Sequence, residues 1–215
     1  MKSNYYKFPR IYHFLYSPGL KNDDRMLPDD NIFVGKEIVV TSKLDGECTG
    51  MTNTTCHARS LDSRDHPSRH WVKSLHGKIK YKIPKNFHLF GENVFAKHSI
   101  FYDKLPSYFL VFGIFDENNN YLSWDDVVEY SKMLDLITVP VLYRGIWDIE
   151  KVKFCFTGKS QFGEEQEGYV VRTAGSFPLE KFNENTGKYV RKSHVKTSKF
   201  WMNKPIVPNR LIGST

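Results

Sequence analysis

The sequence predicts an α+β fold in which strands dominate and form largely antiparallel sheets. Two observations support this class. Short β-branched or apolar runs bounded by turn residues recur along the chain, whereas helical periodicity is confined to a few separate stretches. Strands that are interrupted by few helices are typical of α+β domains.

Turn residues are frequent at the N-terminus, as in Ser17-Pro18-Gly19, so residues 1–36 are predicted to be an irregular arm packed on the domain. The β-branched run Ile38-Val39-Val40 begins the first strand. Further strands are predicted over residues 48–53, 55–59, 87–91, 108–115, 168–173 and 187–192.

Three helices are predicted between these strands. The first covers residues 67–76 and is ended by Gly77. The second covers residues 124–137, because the capping box from Ser123 to Asp126 precedes apolar residues at helical spacing. Asp148 is predicted to cap the third, residues 149–157. The domain is expected over residues 37–200, and residues 201–215 are expected to be a tail that either docks or is disordered.

The composition is that of an ordinary soluble domain, with 40% hydrophobic and 26% charged residues. There is no apolar run long enough to cross a bilayer, and the N-terminus does not resemble a signal peptide. Cys48, Cys56 and Cys155 lack CxxC spacing, which argues against a zinc site or a disulfide framework and favours a reducing, cytoplasmic location. The net charge of +7 favours polyanionic partners such as nucleic acid, although it also serves solubility.

The first chemical motif is Lys43-Leu44-Asp45-Gly46, which follows a predicted strand. A lysine before a glycine turn can project its amine into a cleft, and as a nucleophile it must lose its proton. Burial or nearby cationic charge can lower the lysine pKa enough for that role. Alone, the motif is more typical of a surface turn.

Other motifs follow in order, and together they resemble the covalent nucleotidyltransferase superfamily of ATP-dependent ligases and capping enzymes. The closest likeness is to phage and bacterial RNA ligases, over residues 39–197. The segments that carry it, besides the lysine motif, are His57-Ala58-Arg59-Ser60-Leu61-Asp62-Ser63, Phe90-Gly91-Glu92-Asn93 with its continuation to Ile100, Leu110-Val111-Phe112-Gly113-Ile114, Glu167-Gly168-Tyr169-Val170-Val171-Arg172 and Lys188-Tyr189-Val190-Arg191-Lys192.

The resemblance implies an adenylation domain in which two antiparallel sheets flank an ATP cleft. It implies catalytic roles for Lys43, Glu167 and Lys188. Lys43 would be the adenylated nucleophile, and Glu167 would bind Mg²⁺ or Mn²⁺ or orient the lysine. The implied nucleotide contacts are Arg59 near a phosphate or the RNA end, Glu92 on the ribose, Phe112 stacked on adenine, and Lys188 with Arg191 or Lys192 on the triphosphate.

The sequence departs from the family pattern in two respects. Many relatives have two lysines separated by one residue in the last motif, but here that spacing from Lys188 leads to Val190, so the second cation is open between Arg191 and Lys192. Few residues follow the last motif, so no OB-fold domain is expected. That favours a minimal RNA-ligase-like core over a DNA ligase or a capping enzyme.

The expected activity is ATP-dependent joining of a 5′-phosphate to a 3′-hydroxyl on RNA ends, through lysyl-AMP and adenylylated RNA. The alternatives are a GTP-dependent capping-type guanylyltransferase and a catalytically silent RNA-end-binding module. A helper protein is a plausible further partner. A basic stretch from Arg64 to Lys85, with Trp71 and Tyr81, is either a path for a phosphate backbone or a solvated face.

Overall fold

The structure is a computed structural model that describes residues 6–20, 24–192 and 205–213. The strands are β1 (Glu37–Lys43), β2 (Glu47–Met51), β3 (Cys56–Ala58), β4 (His88–Asn93), β5 (Phe109–Phe115), β6 (Asn120–Tyr121), β7 (Ile137–Thr138), β8 (Val141–Ile146), β9 (Gly168–Thr173), β10 (Phe177–Pro178) and β11 (Thr186–Val190). The α-helices are α1 (His70–Ile79), α2 (Trp124–Met133) and α3 (Ile149–Phe154). None of the helices in these ranges is long and apolar enough to cross a membrane.

The strands form two sheets, which confirms the predicted α+β class with antiparallel sheets. The smaller sheet has the order β11-β9-β1-β8, and all of its pairs are antiparallel. The larger sheet has the order β10-β6-β5-β4-β2-β3, and β7 adds one parallel pair at β5. Side chains alternate along β1, so Ile38 and Val40 pack under the arm while Thr41 and Lys43 face the cleft between the sheets.

Three apolar clusters hold these layers together. The largest packs α1 and α2 on the larger sheet, for example Val72 and Val127 near Val111. A second cluster joins the arm to the smaller sheet, and Phe14 and Phe33 within it are fully buried. The third consists of aromatic residues that join the arm to the larger sheet: Phe8, Phe90, Phe115, Tyr121, Phe177 and Phe182. The arm therefore contributes to the core on both sides of the cleft.

Most predicted strands agree with the structure to within one or two residues at each end, and β9 agrees at both ends. The strand β8 was not predicted. It lies at the edge of its sheet, and its residues are all exposed or half-buried, so it lacks the apolar signal of a buried strand. The predicted domain end at residue 200 and the end of the resemblance at residue 197 lie outside the described residues.

The helix ends were predicted less well than the strands. Helix α1 continues through Gly77 to Ile79, because the buried residues Val72, His76 and Ile79 anchor it on the core and outweigh the helix propensity lost at one glycine. Helix α3 ends at Phe154, earlier than predicted, although Asp148 caps its start as expected.

Helix α2 ends at Met133, four residues before the predicted end at Ile137. Asp135 has a φ of 56°, a left-handed conformation that terminates a helix. The amide of Leu136 then donates to the carbonyl of Ser131 at 2.8 Å. Ile137 instead pairs with Leu110 as part of β7, so its apolar character serves the sheet.

Candidate active site

A cavity of about 330 Å³ lies between the two sheets, and side chains from both sheets and the arm line it. The volume falls in the usual range for small-molecule sites. The smaller sheet contributes Thr41, Ser42, Lys43, Val170, Arg172, Thr186 and Lys188. The larger sheet contributes Cys48, Glu92, Phe112 and Tyr121, and the arm contributes Phe8, Pro9, Arg10, Ile11 and Asp24. Arg59 and Val139 lie at its wall as well.

Lys43 lines this cavity and forms an ion pair with Glu167, which lies behind the cavity wall. Lys43 ends β1 and is paired in register with Gly168, which begins β9, so the side chain of the preceding Glu167 is brought beside it. The Lys43 Nζ donates to Glu167 Oε1 at 2.6 Å. Glu167 is 3% exposed, whereas the Lys43 side chain is 26% exposed and accessible from the cavity. A Cβ atom at Gly168 would lie 1.9 Å from the Tyr189 carbonyl oxygen, so only glycine allows this close approach.

The turn after Lys43 is fixed by Asp45. Its Oδ2 accepts from the Ser99 amide at 2.7 Å, the Ser99 hydroxyl at 2.6 Å and the Ile100 amide at 2.7 Å. The Asp45 amide donates to the Tyr102 hydroxyl at 2.8 Å. Three donors on one buried carboxylate form a strong anchor. The motif Lys43-Leu44-Asp45-Gly46 therefore serves both to present the amine and to hold the turn that presents it.

Glu92 closes the same turn from the larger sheet. Its Oε1 accepts from the Gly46 amide at 3.1 Å, and its side chain lines the cavity. Burial raises the pKa of Glu92 to about 8 and that of Glu167 to about 7, with the positive charge of Lys43 acting in the opposite direction. Both carboxyl groups are thus poised to change charge near neutral pH.

The pKa of Lys43 differs from the sequence-based expectation. Burial lowers it, as expected, but the charges of Glu167 and Glu92 and the hydrogen bond to Glu167 outweigh burial and raise the pKa above its ordinary value. The resting lysine is a cation held by carboxylates. If this lysine is to act as a nucleophile, the negative charge around it must be compensated first.

Lys188 lies on β11 and faces the cavity beside an arm carboxylate. Its Nζ is 3.5 Å from Asp24 Oδ1, and burial together with the charge of Lys43 lowers its pKa. His13 is 3.3 Å from the other carboxylate oxygen of Asp24. The arm therefore holds the cation that the sequence assigns to the triphosphate.

The two candidates for the second cation lie away from the cavity wall. Arg191 forms an ion pair with Glu165, and its backbone amide donates to the Glu167 carbonyl at 2.9 Å. Lys192 is exposed. Neither side chain lines the cavity. Among the described residues, the cations that line it are Arg10, Lys43, Arg59, Arg172 and Lys188.

Arg59 and Phe112 line the cavity, and both contact Phe8 of the arm. Arg59 Nε donates to the Phe8 carbonyl at 3.3 Å. The rings of Phe8 and Phe112 meet edge to face with centroids 4.9 Å apart. Together they form an aromatic wall that suits a purine base.

Sequence reasoning missed three features of this site. Phe8 and Asp24 reach the cavity from the arm, and no local pattern indicates such a long-range contact. Arg172 is 2% exposed and packs with its guanidinium 4.3 Å from the centre of the Tyr121 ring. Strand alternation from Val170 could have identified Arg172, because residues two apart on a strand share a face.

A divalent cation fits this site only together with substrate. In the described ranges, no group of three or more His, Cys, Asp and Glu side chains could hold a metal ion. Mg²⁺ commonly takes one or two carboxylates together with substrate phosphates. Glu92 lines the cavity and offers one such carboxylate, whereas Glu167, the residue predicted to bind the metal, is 3% exposed and is not among the residues that line the cavity.

Comparison with known proteins finds a family whose profile matches this chain, and solved structures with the same fold. The profile of the RNA ligase family matches residues 36–190. The structure of Naegleria gruberi RNA ligase with PPi has a TM-score of 0.57 at 19% identity, covering 91% of this chain and 62% of that chain. A mutant of that ligase with ATP and Mn has a TM-score of 0.57 at 19% identity, covering 88% of this chain and 59% of that chain.

A further mutant with AMP and Mn has a TM-score of 0.55 at 16% identity, covering 91% of this chain and 62% of that chain. This chain thus spans about three fifths of the length of the ligase structures, 62% and 59% in the first two. Comparison with curated proteins gives no match. At these identities the structural likeness establishes the fold.

Proposed function

Because this chain belongs to the RNA ligase family, we propose that it joins RNA ends with ATP through an AMP adduct on Lys43. The observation that carries this proposal is the Lys43 amine, held 2.6 Å from the buried Glu167 carboxylate and reachable from a cavity between two sheets. The similar Naegleria gruberi ligase was solved with PPi, with ATP and Mn, and with AMP and Mn. ATP and a divalent metal are what the proposed first step would use, PPi is what it would release, and AMP is what the third step would release.

In the first step, the lone pair of Lys43 Nζ forms a bond to the α-phosphorus of ATP. The bond from that phosphorus to the bridging oxygen breaks, and pyrophosphate leaves with the electron pair. Lys43 loses one proton before it attacks, which passes to Glu167 Oε1, the acceptor at 2.6 Å, and from there to solvent. The pKa of about 7 makes this carboxylate a suitable acceptor near neutral pH. A second proton leaves the nitrogen for solvent as the neutral lysine–AMP adduct forms.

Charge compensation is the main requirement of this step. Bound Mg²⁺ or Mn²⁺, held by Glu167 or Glu92 together with phosphate oxygens, would supply positive charge that lowers the Lys43 pKa and stabilises the departing pyrophosphate. Arg59, Lys188 and Arg10 line the cavity and would bind the phosphates. Arg191 would act through its backbone contact with Glu167.

The remaining cavity residues would place the nucleoside. Phe112, with Phe8 at its edge, would hold the adenine ring, and Glu92 would contact the ribose. In the second step, a 5′-phosphate oxygen of RNA attacks the phosphorus of the adduct and frees Lys43. In the third step, an RNA 3′-hydroxyl attacks that activated phosphate, and AMP leaves. The two-step activation replaces one difficult condensation by transfers with good leaving groups.

The test is a sealing assay with RNA carrying a labelled 5′-phosphate and a free 3′-hydroxyl, in the presence of a divalent metal. ATP is expected to convert the label into a phosphatase-resistant form, and GTP is not. If the RNA label stays sensitive to phosphatase with both nucleotides and GTP leaves a lysine–GMP adduct on the protein, a guanylyltransferase would be favoured. RNA binding without any adduct or resistant label would favour a silent binding module.

A further inference from the structure

The segment from residue 66 to residue 91 has an unusual charge for a folded domain. It contains no Asp or Glu, yet it holds six of the Lys and Arg side chains of a protein whose net charge is +7. These are Arg69, Lys73, Lys78, Lys80, Lys82 and Lys85. The segment forms α1, a following 3₁₀ turn (Lys80–Lys82) and the loop to β4. The cavity chemistry does not use it.

Three of these cations are neutralised by acidic residues elsewhere in the chain. Arg69 donates to both carboxylate oxygens of Glu47 at 2.7 and 2.5 Å. Lys73 pairs with Asp65, and Lys82 pairs with Asp135 at 3.1 Å. Over residues 6–20, 24–192 and 205–213, the remaining Lys78, Lys80 and Lys85 form no salt bridge, and they are the source of the local excess charge. Each is exposed or half-buried.

The packing of the segment also places an aromatic ring in solvent. Ile79 and Ile83 are 6% and 4% exposed and anchor the segment in the core. Tyr81, midway between them, is forced outward and is 84% exposed. The Lys80 ammonium lies 5.1 Å from the centre of the Tyr81 ring. Trp71, by contrast, packs edge to face on Tyr108 with centroids 5.3 Å apart, so it serves the interior.

This surface, defined as Lys78, Lys80, Tyr81 and Lys85, is connected to the active site by α1. The chain just before α1 is tied by Arg69 to Glu47, four residues after Lys43 in the sequence. The helix has 10 residues and is therefore about 15 Å long. The helix therefore leads from the segment beside Glu47 to Tyr81, and an RNA strand bound at both places would follow it.

From these observations we propose that the Tyr81 surface binds a single-stranded portion of the RNA substrate. The three lysines contact backbone phosphates, and Tyr81 stacks on a base. Unpaired cations beside an exposed aromatic ring form the combination that binds single strands without reading sequence. The inference rests on the proposed function for its substrate, but it concerns a surface outside the adenylation chemistry.

The test measures binding of an RNA oligonucleotide with a 5′-phosphate and a blocked 3′ end by fluorescence anisotropy over a NaCl series. The triple variant Lys78→Ala, Lys80→Ala, Lys85→Ala is compared with a control that removes the same charge elsewhere. The control changes the exposed residues Lys104, Lys159 and Lys181 to Ala. The slope of log K against log salt is expected to fall in magnitude by about 2 in the first variant, since each phosphate contact contributes ~0.7. It is expected to stay unchanged in the control.

Tyr81→Ala is expected to weaken RNA binding about tenfold, and Tyr81→Phe is expected to restore it, because stacking needs the ring and not the hydroxyl. All variants should form the lysine–AMP adduct as the wild type does. Equal slopes for the two triple variants, or undetectable RNA binding by the wild type, would overturn the proposal. Failure of the wild type to form any adduct would instead count against the proposed function, while the binding comparison would still decide the surface.

Discussion

Lys43 is a half-buried cation beside two buried carboxyl groups, and this arrangement would keep the proposed nucleophile unreactive until substrate binds. Glu167 contacts it directly, and Glu92 acts through space. Phosphates alone would add negative charge around the amine, so the proposed first step requires that a divalent metal binds together with the phosphates before the amine loses its proton. The carboxyl groups beside the lysine are the proposed ligands of that metal.

The variant Glu92→Gln tests how much the burial of the Glu92 carboxylate lowers the free energy of unfolding. Burial raises the folded-state pKa of Glu92 to about 8 from an ordinary value of 4.5, so between those pH values the folded protein binds the proton more tightly than the unfolded chain. The contribution of this group to stability therefore falls as pH rises through that window. At pH 8 the variant is expected to be more stable by roughly 4 kcal/mol, because the amide carries no charge to bury and each pKa unit between 4.5 and about 8 corresponds to 1.36 kcal/mol.

Thermal unfolding at pH 4.5 and pH 8 measures this effect. The gain should be present at pH 8 and nearly absent at pH 4.5, while adduct formation falls because a ribose and metal contact is lost. A variant that is less stable than the wild type at pH 8 would show that the carboxylate stabilises the fold and would contradict this account.

At the level of single residues, the sequence predicted those site residues that belong to short, recognisable motifs. Lys43, Glu92, Arg59, Phe112 and Lys188 were inferred from ordered motifs, and the structure brings them to one cavity. Their catalytic roles stay predictions. The raised pKa of Lys43 could not be foreseen, because it depends on the distance to Glu167, which lies 124 residues away in the sequence. Asp24 was missed for the same reason.

Apart from the two sheets, the N-terminal arm is the part of the chain that shapes the site most. Phe8 is 5% exposed and packs on Phe90 and Phe182 with ring centroids 5.0 and 5.4 Å away. It also lines the cavity next to Phe112. The arm is therefore both a part of the core and a wall of the proposed nucleotide site.

Phe8→Ala is expected to lower the free energy of unfolding by about 3–4 kcal/mol, the usual loss for a buried phenylalanine, and to raise the KM for ATP in adduct formation. Phe182→Ala is the matched control, because Phe182 is 2% exposed in the same cluster but does not line the cavity. It should lower stability similarly and leave the KM unchanged. The same rise in KM for both variants would show that the arm affects ATP binding only through global stability.

The elements with strong local patterns were predicted well, and the others were not. The strand β9 was predicted at both ends because its apolar run is bounded by glycine and polar residues. The predicted end of α2 was wrong. The apolar Ile137 continues the helical spacing in the sequence, although the chain has already turned at Asp135. Periodicity does not distinguish a residue that extends a helix from one that begins a strand on the same face.

On the scale of the whole molecule, a chain of hydrogen bonds links residues that are far apart in the sequence to the turn after Lys43. Asn209 is 1% exposed, its amide nitrogen donates to the Val94 carbonyl at 2.8 Å, and its Oδ1 accepts from the Tyr102 amide at 2.9 Å. The hydroxyl of Tyr102 in turn accepts from the Asp45 amide at 2.8 Å. The segment 205–213 therefore docks on the loop that holds the lysine turn. The sequence left open whether this tail docks or is disordered.

Asn209→Ala is expected to lower the free energy of unfolding by about 2–3 kcal/mol, since buried backbone partners lose their hydrogen bonds. It should also slow adduct formation, because Tyr102 and the loop from Phe95 to Tyr102 lose their support. Chemical denaturation and a time course with ATP measure the two effects. An unchanged rate in a destabilised variant would show that the segment supports the fold alone.

The two-sheet architecture was foreseen through the resemblance, whereas the contacts between the arm, the sheets and the last segment were not. Tyr16 and Tyr169 share a hydrogen bond across 153 positions of sequence. Local patterns predict elements, but such distant pairs depend on the completed packing.

The most direct test of the central claim is incubation of the protein with a divalent metal and ATP labelled at the α-phosphate, followed by denaturing electrophoresis. The wild type is expected to carry label that survives denaturation, and Lys43→Ala is expected to carry none while keeping the same far-UV circular dichroism spectrum. GTP in place of ATP should leave the wild type unlabelled. Label retained by Lys43→Ala, or no label on folded, AMP-free wild type, would contradict the assignment of Lys43 as the nucleophile.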